Sequence, residues 1–374
     1  MAIDLSNILS IYAGKVSSLD SNTPLSQMVT TIQRYVEFGG KITASYDSVV
    51  DLPYDSALQG MIVSVGGVLR NFNGNNWDML DSDTIVDPIP WSVQGDLYGY
   101  ITGGIPSTYN IDKYPFAAAG TVSIGTTAYA TSFATGSIYS ETTGYIAGGT
   151  DPLNVSYLQT FSFVSDGNGI SLGDMGEWRG VAAGATSGEN GYTMGAHYNR
   201  PGTVQQQIAK FPFAATTGAV TVSGLLTSSR YYNVGTSSLV DGYSSGGLPS
   251  GSNVVEKFPF AAEGNASDVG DLTWATQRAA GLSSETDMYI GGGGIPTTNY
   301  KNKISFASGG NGVSVGNMKT AAYELSASNS RTDGYIHNPL APAYIQRFPF
   351  ASDTDIEADH GGSNNGYQTV GHSA

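Results

Sequence analysis

The sequence predicts a mainly β chain: a six-bladed β-propeller closed by its C-terminal strand and preceded by a small α+β domain. Three observations predict it. An apolar phrase recurs as Lys113-Tyr-Pro-Phe-Ala, Lys210-Phe-Pro-Phe-Ala, Lys257-Phe-Pro-Phe-Ala and Arg347-Phe-Pro-Phe-Ala, with altered copies at Thr160-Phe-Ser-Phe-Val and Lys303-Ile-Ser-Phe-Ala. Before each copy comes a second segment typified by Gly99-Tyr-Ile-Thr-Gly-Gly, whose tyrosines are Tyr100, Tyr145, Tyr192, Tyr243, Tyr289 and Tyr335, a period of 45 to 51 residues. Composition agrees: Gly supplies 50 of 374 residues and charged types only 13%, so turns are plentiful and helical surface is scarce, while 40% hydrophobic content fills a core. A fixed period of this size marks radial or stacked β units.

Four short strands fit each period. The Tyr-Ile-x-Gly-Gly segment is the second, and the Phe-Pro-Phe phrase lies in the third. The fourth follows a Gly-rich turn, as in Val313-Ser-Val-Gly and Ile170-Ser-Leu-Gly. Runs of small residues, Val181-Ala-Ala-Gly-Ala-Thr-Ser, Asn233-Val-Gly-Thr-Ser-Ser and Ala279-Ala-Gly-Leu-Ser-Ser, read as first strands at the crowded axis. Phe116, Phe163, Phe213, Phe260, Phe306 and Phe350 recur once per unit and are expected between adjacent sheets, each ring worth about 1.5–3 kcal/mol of burial. Proline cannot donate to a central ladder, so it marks the end of the third strand or a bulge. No small-residue run precedes Gly99, but Tyr367–Ala374 matches Tyr232–Ser238, so the C-terminus is expected to complete the first blade and remove the ring's edges.

The order of these signals resembles the kelch repeat. Arg179, Arg230 and Arg278, with Lys319 in the next copy, stand where the kelch arginine would be. Gly103-Gly104, Gly148-Gly149, Gly246-Gly247 and Gly291-Gly292 stand at its double glycine. The third copy departs with Gly195-Ala196 and the sixth with His337-Asn338, and Phe-Pro-Phe replaces the usual Tyr–Asp. The resemblance spans roughly residues 95–374 and implies the fold alone.

Residues 1–88 lack the period and form a separate domain from the propeller at 89–374. Thr23-Pro24 gives a hydroxyl cap followed by proline at the first helical position, and Leu25, Met28, Val29, Ile32 and Val36 then form a stripe at helical spacing that Gly39-Gly40 stops. One such helix is not stable alone, so the stripe packs within its domain, on sister copies or on another protein. Gly60-Met-Ile-Val-Ser-Val, Gly67-Val-Leu-Arg-Asn-Phe and the run ending in Trp77-Asp-Met-Leu read as a small antiparallel meander. Together with Asp51-Leu-Pro-Tyr, this pattern is similar to a module in virion proteins of tailed phages, especially marine and cyanobacterial ones. The resemblance implies a non-enzymatic virion protein that assembles with copies of itself and with neck, tail or capsid proteins, its distal domain facing outward. The alternative is a lectin-like or glycan-active propeller of another origin.

The net charge of −15 argues against a nucleic-acid partner, and no run of about 18 apolar residues argues for membrane insertion. Met1-Ala-Ile-Asp-Leu has no basic start to a signal peptide, and with Cys at 0 there is neither a disulfide framework nor the Tyr–Cys crosslink of copper oxidases on this fold. Ser267-Asp-Val-Gly-Asp-Leu-Thr-Trp274 misses the acid spacing of a sialidase Asp box. His197, His337, His360 and His372 fall in different units, with His372 expected to face the axis. Asp353, Asp355, Glu357 and Asp359 alternate, as on one face of an outer strand, where they either guard the edge or bind Ca²⁺. No catalytic residue and no cofactor is expected. The links after the double glycine vary most, so recognition of host polysaccharide or protein is expected at Ile105, Pro106, His197, Tyr198, Arg200, Leu248, Pro249, Ile295, Pro296 and His337.

Overall fold

The structure, a computed structural model, describes residues 41–46, 61–65, 68–72 and 77–80, and the chain from Ser92 to Ala374 apart from 105–108, 130–134, 152, 155, 177–179, 199–202, 250, 295, 340–342, 357 and 363–368. Two compact units divide at Pro90 and Trp91. The expected helix and its stripe at Leu25, Met28, Val29, Ile32 and Val36 lie outside the described residues. In the first unit Met61–Val65, Val68–Phe72 and Trp77–Leu80 form an antiparallel meander. The strand Lys41–Tyr46, not expected from sequence, pairs parallel to Met61–Val65.

The second unit is a six-bladed β-propeller of four-stranded antiparallel sheets. Blade 1 is ordered Val370–Ser373, Tyr98–Thr102, Asn110–Pro115 and Val122–Thr126; blade 2 runs from Thr135–Tyr139 to Ile170–Asp174. Blade 3 spans Ala183–Thr186 to Thr221–Leu225, blade 4 Val234–Ser237 to Ser267–Thr276, blade 5 Ala280–Ser283 to Val313–Asn317, and blade 6 Ser326–Asn329 to Ala358–Gly362. In blade 1, Val370 lies opposite Thr102 and Ser373 opposite Gly99.

The recurring phrase is the joint between blades. Each second-strand tyrosine lies against the last phenylalanine of the next blade's phrase: Tyr100 on Phe163 at 4.6 Å between centroids, Tyr145 on Phe213 at 4.8 Å, Tyr192 on Phe260 at 5.0 Å, Tyr243 on Phe306 at 5.2 Å and Tyr289 on Phe350 at 5.1 Å. Tyr335 on Phe116, at 4.6 Å, makes the same joint between blades 6 and 1. Such pairs add about 0.5–1.5 kcal/mol beyond their burial. The proline is the last residue of the third strand in Asn110–Pro115, Thr203–Pro212, Ser252–Pro259 and Tyr344–Pro349, so the phenylalanine after it is free to turn toward the preceding blade.

In five blades the glycine before the tyrosine faces the first aromatic of the phrase. A Cβ at Gly144 would lie 2.4 Å from the Phe161 ring, and one at Gly242 2.4 Å from Phe258. In blade 5 Ile304 takes the place of that aromatic, and the residue opposite it is Met288 instead of glycine. The two positions change together: where the ring is replaced by a smaller side chain, the glycine is replaced by a larger one, as a close-packed interior requires.

At the axis, inner strands approach backbone to backbone. A Cβ on Gly235 would meet Gly184 O at 1.9 Å, and one on Gly371 would meet Ala327 O at 2.0 Å. The last inner-strand position then links blades through side chains: Thr186 N donates to Ser237 Oγ (2.9 Å), Ser237 N to Ser283 Oγ (3.3 Å), Ser283 N to Asn329 Oδ1 (3.2 Å) and Asn329 N to Ser373 Oγ (2.9 Å). The rim carries another set of staples, in which Asn168, Asn265, Asn311 and Asp355 accept from Thr126 N, Leu225 N, Asp271 N and Asn317 N of the preceding blade.

Several expectations are corrected. The acids at the chain's end do not share one strand face: Asp353 pairs with Lys303 at 3.4 Å, Asp355 is a rim staple, and Asp359 pairs with Lys319 at 2.6 Å, while Glu357 lies outside the described residues. In blade 5 the glycine pair with positive φ is Gly292 (68°) and Gly293 (109°), matching Gly246 (65°) and Gly247 (102°), one residue later than the spacing suggested. Arg230 and Arg278 are not equivalent either. Arg230 O accepts from Ala196 N as Thr276 O accepts from Gly247 N, whereas Arg278 matches Tyr232, two residues before an inner strand.

Candidate functional site

The crossings between blades and the links from second to third strands share one face of the propeller. Tyr231, in the crossing to blade 4, exchanges backbone hydrogen bonds with Leu248, at 3.2 and 2.8 Å, and its ring lies 4.7 Å from that of His197. Gly294 N donates to Gln277 O (3.0 Å), and Thr127 N to Tyr109 O (2.6 Å). Of the expected recognition residues, His197 and Leu248 meet through Tyr231 and are both half-buried, while Pro249 and Pro296 are exposed. Tyr198 ends a second strand; Ile105, Pro106, Arg200 and Ile295 lie outside the described residues.

His337 is not in a loop, and it shares blade 6 with His360 rather than lying in a different unit. It lies in the second strand of blade 6, Asp333–Asn338, opposite Ser326, with its Nδ1 2.9 Å from Thr369 Oγ1. The glycine-pair position is one residue further on, which leaves His337 inside the ladder. Burial drives its pKa down to about 4. His372 does not face the axis: its Nδ1 lies 3.2 Å from Ile138 O, its Nε2 3.3 Å from Thr102 Oγ1, and the ring packs edge-on to Phe161. The carbonyl can only accept, so Nδ1 carries the proton, and burial lowers this pKa to about 3.

Sequence reasoning missed the centre of the face. A cavity of about 110 Å³ opens there around the axis, and its rim includes Val181, Tyr232, Arg278 and Glu324. These four occupy equivalent places before successive inner strands, and each is left-handed, with φ of 55°, 53°, 54° and 60°. They are tied in sequence around the rim: Tyr232 N donates to Val181 O (2.7 Å), Arg278 N to Tyr232 O (2.9 Å), and Leu325 N to Arg278 O (3.3 Å). Left-handed backbone at a non-glycine costs on the order of 1 kcal/mol and persists only where surrounding structure imposes it. Arg278 Nη1 meets Glu324 Oε1 at 2.8 Å, and its guanidinium lies 3.9 Å from the Tyr232 ring centroid. Side-chain identity in the crossings varies too much to show this rim, but each of the four precedes a small-residue run by a fixed interval.

The opposite end of the channel is filled by the segment leading into blade 1. Val93 is buried, and its carbonyl accepts from Tyr139 Oη and from Asn329 Nδ2 (2.9 Å). Gln94 Nε2 donates to Ser283 O (3.1 Å). The cavity is therefore a blind pocket. In the crossing to blade 4, Arg230 forms an ion pair with Glu256, side chains 5% and 0% exposed, Arg230 also donating to Gly246 O and Glu256 accepting from Thr227 N.

Exposed tyrosines share this face with the pocket, at the ends of third and fourth strands and in the crossing to blade 6. Tyr109, Tyr300, Tyr323 and Tyr129 are 48%, 48%, 38% and 39% exposed, and Tyr129 stacks on Tyr157 at 4.5 Å. Among the described residues, no group of three or more His, Asp or Glu side chains could hold a metal ion. Comparison with protein-family models finds no match. Comparison with curated proteins finds none either.

Proposed function

We propose that this chain is a non-enzymatic structural protein of a tailed-phage particle, with residues 1–88 as its anchor and the propeller displayed outward to touch the host surface. The observation that carries the recognition half is that exposed tyrosines and a blind pocket occur on the same face. Tyrosine offers a large, rigid, amphipathic contact at low entropic cost, the kind of surface that binding sites favour. Anchoring rests on the likeness of residues 51–80 to phage virion modules and on the apolar stripe at Leu25, Met28, Val29, Ile32 and Val36. The propeller is read as kelch-like, the N-terminal domain as α+β, and Val370–Ser373 as the strand that closes the ring. A lectin-like or glycan-active propeller of another origin is the second reading, favoured by the same tyrosine face.

Particle incorporation tests the proposal. Full-length protein should co-purify with assembled particles, residues 91–374 alone should not, and Met28→Asp with Ile32→Asp should abolish incorporation while the propeller still folds. Incorporation of the truncated or doubly substituted chain would remove the anchor, and a full-length chain that enters no particle would remove the virion role.

A further inference from the structure

We infer that the pocket at the mouth of the axial channel takes one uncharged sugar residue of a polysaccharide, held by Tyr232, Arg278 and Glu324. The inference rests on the reading of this face as the one that touches a host surface, and it names the ligand class.

Size sets the first limit. A pocket of about 110 Å³ falls well below the ~300–1,000 Å³ of sites that engulf a whole small molecule, so only one unit of a longer ligand enters. Charge sets the second. Arg278 and Glu324 neutralise each other at 2.8 Å, so an anion meets no unbalanced cation and a cation no unbalanced carboxylate. The chain's net charge of −15 further opposes an acidic polymer.

Hydrogen-bonding type sets the third. A guanidinium only donates and a carboxylate only accepts; side by side they complement hydroxyl groups, which do both. Val181, Ala182 and Leu325 add apolar lining suited to the C–H face of a sugar ring, beside the hydroxyls of Ser137, Ser326 and Thr369. On the same face, Tyr323, in the crossing beside Glu324, and Tyr300, at the start of a third strand, are exposed flat surfaces on which further sugar units can lie. The left-handed rim is fixed by its own backbone hydrogen bonds, so binding costs little ordering entropy.

Saturation-transfer NMR on the full-length chain tests this with tetrasaccharides of glucose, galactose, mannose and N-acetylglucosamine, and with a galacturonic acid tetramer as the acidic probe. At least one neutral tetrasaccharide should bind, and Arg278→Lys and Glu324→Gln should each weaken it at least tenfold with melting transitions retained. Tyr232→Phe replaces either variant should it not fold. Tyr323→Ala should weaken the tetrasaccharide more than the matching monosaccharide. No transfer to any neutral probe, binding of the acidic tetramer alone, or affinity unchanged in the variants overturns the inference. Variants that enter particles yet no longer bind sugar leave the virion role intact, whereas sugar binding by a chain that enters no particle removes only that role.

Discussion

Tyr335 and Phe116, 219 residues apart in the chain, stack at 4.6 Å and share a hydrogen bond from Tyr335 Oη to Phe116 O at 2.9 Å. Tyr145 with Phe213 (3.2 Å) and Tyr289 with Phe350 (3.3 Å) repeat that bond at other blade boundaries. The joint between last and first blades is thus built like the joints between blades adjacent in sequence. Tyr335→Phe should cost about 1 kcal/mol by losing the hydrogen bond, and Phe116→Ala about 3–5 kcal/mol by leaving a cavity. Denaturant unfolding of the two variants checks the order; equal losses would mean that the ring face contributes nothing beyond the hydrogen bond.

Gly242 and Phe258 should be exchangeable only together. Gly242→Met alone drives a side chain into the Phe258 ring, and Phe258→Ile alone leaves a void; each should destabilise by about 2 kcal/mol or more. The double variant copies the Met288–Ile304 pair of blade 5 and should recover part of both losses, with a coupling of about 1–3 kcal/mol in a double-mutant cycle. Simple additivity would mean that the two positions are not one packing unit.

These pairs show what the sequence made legible. The phrase, the tyrosine and the small-residue runs each met one steric demand per blade, so their spacing gave the strands and the aromatic joints. The pocket was not legible because its rim is held by backbone conformation, and Val181, Tyr232, Arg278 and Glu324 share no side-chain chemistry. His337 was misplaced because one residue of register moves a side chain from the link into the ladder. The parallel strand Lys41–Tyr46 escaped because a six-residue segment carries too short an alternation to read.

Acid should loosen the propeller before most carboxylates titrate. Burial holds His337 at about 4 and His372 at about 3, against about 6.5 for an unfolded histidine. A histidine depressed in the fold binds its proton more readily when unfolded. Its contribution is therefore present above pH 6.5 and lost as pH falls from 6.5 toward the folded value, roughly 3 kcal/mol for each by pH 4. Melting temperatures from pH 8 to pH 4 should fall most steeply below 6.5, and His372→Asn should flatten the slope. An identical slope in that variant would show that the acid response lies elsewhere.

Closure of the ring by the C-terminal strand, as proposed above, is tested most directly by removing Val370–Ala374 and measuring thermal unfolding by calorimetry. Those residues supply the strand paired with Tyr98–Thr102, the acceptor for Asn329 N on Ser373, and the Ala374 carbonyl that accepts from Leu97 N (2.9 Å) and Tyr98 N (3.0 Å). Without them blade 1 has an open edge, and the gap lies between blades 6 and 2, on the pocket side as well as below it. The propeller transition should fall by at least ten degrees or disappear, and sugar binding should be lost with it. A propeller transition at the full-length temperature would contradict closure of the ring by its C-terminal strand.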